Sequence, residues 1–229
     1  MKKNFVMEKY DSTWGNKKDE KFAFYERNHR LDEFFSRPGK VLDLACGSGT
    51  VGLWLQKNGF EVDGIDISQV ALDLARKKGL RKVVIGDLEK PLPFPDKSFD
   101  YVFAGDILEH VINTVGLLRE TERVLKDDGR LIFSVPNMGY WYYRLTYLVK
   151  GEVPKTEGLE AKPWEWEHIR FYNTRIIKEL VKEVKFEFVK SVGVCRKPLD
   201  NFLAKYYPDL FASILIVEAE KIHQTERRK

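Results

Sequence analysis

Only two of the 229 residues are cysteine, Cys46 and Cys195, far apart in the chain. Two cysteines make no disulfide framework, and their separation has no metal-ligand spacing, so a reducing cytoplasmic setting is expected and no metal is. Long apolar runs are also missing. The longest, Leu210 to Val217, is broken by Ser213 and falls far short of the roughly 20 residues that cross a bilayer. The opening MKKNFVMEKYDS has only Phe5, Val6 and Met7 as an apolar core, too little for a signal peptide, and no membrane partner is expected. A charge excess is scarce as well: Lys and Arg outnumber Asp and Glu by 39 to 35, and part of that surplus sits in Lys2-Lys3 and Arg227-Arg228-Lys229. With no basic stripe interleaved with aromatics and no appended RNA-binding segment, the balance does not argue for nucleic acid. Internal repeats and low-complexity tracts are absent.

What is present describes a folded globular chain, 43% hydrophobic and 32% charged, with enough length for one α/β domain and an insertion. The most informative stretch is Val41 to Thr50, VLDLACGSGT. Its short apolar run suits a strand buried on both faces of a parallel sheet. Gly47 and Gly49 then supply a tight turn in which a ligand can approach the backbone ahead of a helix starting near Thr50. Gly47, Gly49 and Gly52 satisfy G-x-G-x-x-G, and Asp66 follows Gly47 by nineteen residues, where a dinucleotide enzyme holds its ribose. Asp43, four residues before Gly47, argues against a pyrophosphate and for a cationic ligand.

The rest of the chain alternates. A helix is expected over Thr50 to Asn58 with Gly59 at its end, a strand over Phe60 to Asp66, and a helix from Gln69 to Lys78 capped by Ser68 and stopped by Gly79. Strands follow at Lys82 to Ile85, Phe99 to Ala104 and Arg130 to Val135, with a helix from about Asn113 to Lys126. The rhythm resumes with a helix over Thr174 to Val184 and strands at Phe186 to Val194 and Ser213 to Ala219. Such alternation implies right-handed crossovers and a mostly parallel, doubly wound sheet. Aromatics at helical intervals between residues 18 and 36 read as an amphipathic helix packing on the core. The rhythm breaks between Pro136 and Tyr172, which holds Tyr140, Trp141, Tyr142, Tyr143, Tyr147, Trp164, Trp166, Phe171 and Tyr172. Half of these aromatics are read as subdomain core and half as a lid, since a long irregular insertion is usually functional. The expected organisation is a helix and Rossmann-like core over 1–136, an inserted aromatic lid over 137–172, and the remainder of the sheet over 173–229.

Asp-x-x-Cys-Gly-x-Gly at Asp43 to Gly49 resembles the first motif of the class I S-adenosylmethionine-dependent methyltransferases. Phe99 to Val111, FDYVFAGDILEHV, and Glu167 to Thr174, EHIRFYNT, resemble two later stretches of the same family. The resemblance implies a twisted seven-stranded sheet binding S-adenosylmethionine and passing a methyl group to an acceptor, here expected to be a small molecule. It implies cofactor contacts at Asp43, Ala45, Gly47, Gly49, Asp66, Ile67, Asp87, Leu88, Ala104 and Gly105. Within that set Asp66 would take the ribose diol and Asp87 the adenine amine, with the Leu88 amide beside the ring. Ala104 and Gly105 would lie along the methionine half. His110 and His168 are the catalytic candidates, because an imidazole can take a proton at neutral pH. For Asp66, Asp87 and His110 the alternative is a cap or packing role, and Arg170 either faces an acidic acceptor or pairs within the lid. A nicotinamide-dependent oxidoreductase, an RNA or protein methyltransferase and a non-catalytic S-adenosylmethionine-binding protein stay open as alternatives. The sequence leaves the acceptor and the oligomeric state unassigned.

Overall fold

In the computed structural model, residues 5–16, 30–80, 82–156 and 168–222 are described. The elements in chain order are α1 (Phe5–Asn16), β1 (Lys40–Leu44), α2 (Thr50–Lys57), β2 (Glu61–Asp66), α3 (Gln69–Lys78), β3 (Val83–Ile85) and β4 (Phe99–Gly105). They continue with α4 (Thr114–Val124), β5 (Leu125–Pro136), α5 (Trp141–Lys150), α6 (Thr174–Glu183), β6 (Phe186–Val194), α7 (Pro198–Leu203), α8 (Pro208–Phe211) and β7 (Ile214–Lys221). They build one seven-stranded sheet of order β3-β2-β1-β4-β5-β7-β6. The first five strands pair in parallel, while β7 runs antiparallel between β5 and the edge strand β6.

Alternation along β1 explains why its sequence is almost continuously apolar. Val41 joins a cluster with Phe34, Leu55, Leu72 and Phe103 on one side of the sheet. Leu42 and Leu44 join Leu118, Phe133, Ile177 and Val217 on the other. Both faces of the strand are therefore covered by helices. Local signals set the helix ends: the Ser68 hydroxyl accepts from the Ala71 amide at the start of α3, and Gly79, at φ 111°, closes it. The Asn113 side chain caps α4 and the Asn173 side chain caps α6 in the same way.

Three features differ from the sequence reading. β5 starts at Leu125 instead of Arg130, because Leu125 already pairs with Phe99 before an irregular register resumes at Tyr101 opposite Arg130. The expected helix over residues 18 to 36 lies largely outside the described residues; its end is a single 3₁₀ turn, Leu31–Glu33, followed by the buried Phe34 and Phe35. Helix α1 and the short helices α7 and α8 were not anticipated. In the expected lid, Tyr140 and Tyr172 are buried, whereas α5 buries no residue and leaves Leu148 81% exposed. Residues 157–167, with Trp164 and Trp166, lie outside the described residues.

Candidate active site

Because β3, β2, β1 and β4 are parallel neighbours, their carboxyl ends share one edge of the sheet. At about 4.8 Å per strand that edge is roughly 14 Å long, and the order reverses there between β1 and β4, where ligands of doubly wound sheets bind. Asp87 and Leu88 follow β3, Asp66 and Ile67 end β2, Ala45 to Gly49 follow β1, and Ala104 and Gly105 end β4. All ten residues expected to touch a cofactor therefore come to this edge or, for Asp43, one turn inside it.

Left-handed backbone occurs at the same place. Gly47 and Gly49 have φ of 54° and 77°, in the left-handed region that glycine tolerates. Of the four non-glycine residues with positive φ among the described residues, two stand here, Ala45 at φ 52° and Asp106 at φ 51°; the others are Lys97 and Lys185. Ala45 and Asp106 stand just beyond the paired residues Leu44 and Ala104, on either side of the point where strand order reverses. Nothing in the sequence marks Ala45 as left-handed; Asp106 at least belongs to a residue type enriched there. Asp106 is held by β5, its amide donating to the Ser134 carbonyl at 3.0 Å and its Oδ1 accepting from the Ser134 hydroxyl at 2.6 Å.

Asp66 is 6% exposed, and its two oxygens are divided between two loops. Oδ2 accepts from the Gly47 amide at 2.8 Å and Oδ1 from the Ser68 amide at 2.8 Å. The carboxylate thus ties the glycine turn to the start of α3. Asp43, 3% exposed, lies nearby. Burial, reinforced by the Asp43 and Asp66 charges, pushes the Cys46 thiol well above its ordinary value, so this cysteine stays protonated.

Helix α1 closes over this corner. Asp11 Oδ1 accepts from the Ser68 hydroxyl at 2.6 Å and from the Val70 amide at 3.2 Å, adding an anion to the amino end of α3. The Trp14 ring lies on the glycine turn: a Cβ at Gly47 would meet its Cζ2 at 2.5 Å. Trp14 precedes the 18–36 segment whose aromatics were expected to pack on the core, and it covers the turn. Asp87 behaves as a turn cap here, accepting from the Glu89 amide at 3.0 Å and pairing with Lys90 at 3.3 Å. Leu88 packs on the core.

Beyond β4, the turn Leu108 to Val111 meets the segment His168 to Tyr172. The Ile169 and Arg170 amides donate to the Glu109 carbonyl at 2.9 and 3.2 Å, and the Tyr172 hydroxyl donates to the Leu108 carbonyl at 3.1 Å. Arg170 Nε donates to the Val111 carbonyl at 3.0 Å and to the Thr114 hydroxyl at 2.9 Å, and its Nη2 reaches the Ile112 carbonyl. The guanidinium is therefore a clamp on the turn; Glu165 and Glu167, its expected lid partners, lie outside the described residues. The clamp brings the two catalytic candidates together, with His110 and His168 ring centres 4.6 Å apart and nearly perpendicular. Sequence reasoning missed Asp11, Ser134 and Thr156, whose partners lie 57, 28 and 12 residues away. No local pattern connects such pairs.

Comparison with known proteins agrees with this fold. The family model described as methionine biosynthesis protein MetW matches residues 27–218. An uncharacterized protein of Methanocaldococcus jannaschii is 33% identical over 195 residues, covering 80% of this chain and 76% of that one. The demethylmenaquinone methyltransferase of Thermotoga maritima is 31% identical over 164 residues, covering 68% of this chain and 70% of that one. Among solved structures, Burkholderia thailandensis 1,6-didemethyltoxoflavin-N1-methyltransferase, with its substrate and S-adenosylhomocysteine bound, superposes at a TM-score of 0.66 with 19% identity, covering 95% of this chain and 88% of that one. The family match decides between the nicotinamide and sulfonium ligands that the three glycines by themselves leave open. The chain belongs to the MetW family and, with it, to the class I S-adenosylmethionine-dependent methyltransferases.

Proposed function

We propose that the protein transfers the methyl group of S-adenosylmethionine to a small molecule, with the cofactor stretched along the carboxyl edge of β3, β2, β1 and β4. The observation that carries this reading is the clustering of left-handed Ala45, Gly47, Gly49 and Asp106 on both sides of the strand-order reversal. Strained backbone gathers where a ligand must be approached closely. In this reading the amino-acid end of the cofactor lies on Asp43, Ala45, Gly47 and Gly49, the ribose on Asp66 and Ile67, and the adenine beside Asp87 and Leu88. Ala104 and Gly105 leave room for the methionine chain and bring the sulfonium towards the turn after β4.

A sulfonium methyl is already activated, and its transfer is an in-line displacement, so the protein contributes alignment and exclusion of water. Trp14 over the glycine turn supplies a wall for that purpose. His110 and His168 stand on the acceptor side, where the acceptor must lose its proton. Two relatives bear the names of small acceptors, demethylmenaquinone and 1,6-didemethyltoxoflavin, which supports an acceptor of that size. Among the described residues no helix is long and apolar enough to cross a membrane.

The test is calorimetric titration with S-adenosylhomocysteine, followed by transfer of a labelled methyl group to a panel of phenols, quinols and heteroaromatic amines. Binding with transfer to any panel member upholds the proposal. Absence of S-adenosylhomocysteine binding overturns it, and binding with transfer only to RNA or protein overturns the small-molecule acceptor.

A further inference from the structure

Three donor side chains from two distant segments converge beside the proposed acceptor position. Glu109 and His110 lie in the turn after β4, and His168 lies just before α6. Their candidate ligand atoms all fall within 4.8 Å of one another. We propose that Glu109, His110 and His168 bind one divalent cation of the zinc type.

The donor set selects the class of ion. Two imidazoles and one carboxylate match three-residue sites that bind borderline ions such as Zn²⁺ or Co²⁺ and keep an open position, whereas Mg²⁺ and Ca²⁺ prefer oxygen-only shells. With metal–donor bonds of about 2 Å, the donors of such a site stand about 3 to 4 Å apart, so the side chains need turn inward by only about an ångström.

The supporting structure is that of a built site. Glu109 is 1% exposed, and His168 Nε2 stands 4.0 Å from its Oε1. Thr156 Oγ1 lies 2.7 Å from His168 Nδ1. With Nδ1 donating its proton to that hydroxyl, Nε2 carries the lone pair and faces the cluster, which is how outer partners orient metal-binding imidazoles. The two ligand-bearing segments are bolted together by the Ile169 and Arg170 amides on the Glu109 carbonyl and by the Arg170 side chain on Val111 and Thr114. The His168 side chain is 10% exposed, so the cluster is largely enclosed by protein.

The site itself stands on this geometry; its consequence rests on the methyl-transfer reading. An acceptor hydroxyl in the open position would have its pKa lowered and release its proton to solvent on coordination. Its oxygen then forms the bond to the methyl carbon as the sulfur–carbon bond breaks, giving a methyl ether and S-adenosylhomocysteine. The histidines would act by holding the cation instead of as free bases.

The experiment is titration of untagged, chelator-stripped protein with Zn²⁺, Co²⁺ and Mg²⁺, by calorimetry and by the visible spectrum of Co²⁺. One equivalent of Zn²⁺ and Co²⁺ should bind, with Mg²⁺ weaker by at least about 100-fold. His110→Ala and His168→Ala should abolish stoichiometric binding, and Thr156→Val should weaken it by about 10- to 100-fold. In the unmutated protein Zn²⁺ should also protect His110 and His168 from diethylpyrocarbonate, a readout independent of how the variants fold. Failure to bind a full equivalent overturns the site, as does unchanged affinity in folded histidine variants or unprotected histidines. S-adenosylhomocysteine affinity is measured in parallel: its absence beside intact Zn²⁺ binding sinks the methyl-transfer reading alone.

Discussion

Asp66→Asn separates the two tasks assigned to one carboxylate. In the native protein its oxygens accept from the Gly47 and Ser68 amides, both at 2.8 Å, in a site only 6% exposed. Asparagine has the same shape but one acceptor oxygen, so its amide group must face a backbone N–H. Losing one buried hydrogen bond to a charged group costs about 1.5 to 3 kcal/mol. For a chain of this size that corresponds to a fall in Tm of roughly 3 to 12 °C. If the carboxylate also holds the ribose, S-adenosylhomocysteine affinity should fall by a further factor of about 10 to 100. Thermal unfolding of the ligand-free protein measures the first effect, and calorimetry at a temperature where the variant stays folded measures the second. An unchanged Tm would refute the bracing of the glycine turn. A lowered Tm with unchanged affinity would leave Asp66 as a brace and remove it from the ribose site.

Gly47→Ala should destabilise the protein by about 1 to 2 kcal/mol through its left-handed φ alone. It should cost more when Trp14 is present, because the new methyl would sit 2.5 Å from the ring. An equal cost in the Trp14→Ala background would show that the ring does not lie on the turn. Arg170→Ala should cost about 2 to 3 kcal/mol through its lost charged hydrogen bonds. It should also raise amide exchange across residues 107–112 while S-adenosylhomocysteine affinity stays within about twofold; unaltered exchange there would dismiss the clamp. Cys46 should resist iodoacetamide at pH 8 in the folded protein and react once unfolded, because burial and two neighbouring carboxylates keep its thiol protonated. Rapid alkylation of the native chain, read by mass spectrometry, would contradict that environment.

Much of the scaffold was legible in the sequence because it rests on local chemistry. The near-continuous apolar run of β1 reflects helices on both sheet faces. Ser68 and Gly79 bound α3 through hydrogen bonds and dihedrals that involve only their own neighbourhood. Asp43, Asp66 and Asp87 could be placed in advance because alternating strands and helices bring the carboxyl ends of the parallel strands to one edge. What escaped depends on contacts between residues remote in the chain. Asp11 on α3, Trp14 on Gly47, Ser134 on Asp106, and Arg170 on the turn after β4 are such contacts. The meeting of His110 and His168 belongs to the same class. Each histidine carries no more information in the sequence than its own pKa range. Only the folding of the 168–172 segment against the end of β4, fixed by buried backbone and guanidinium hydrogen bonds, turns them into a pair with Glu109.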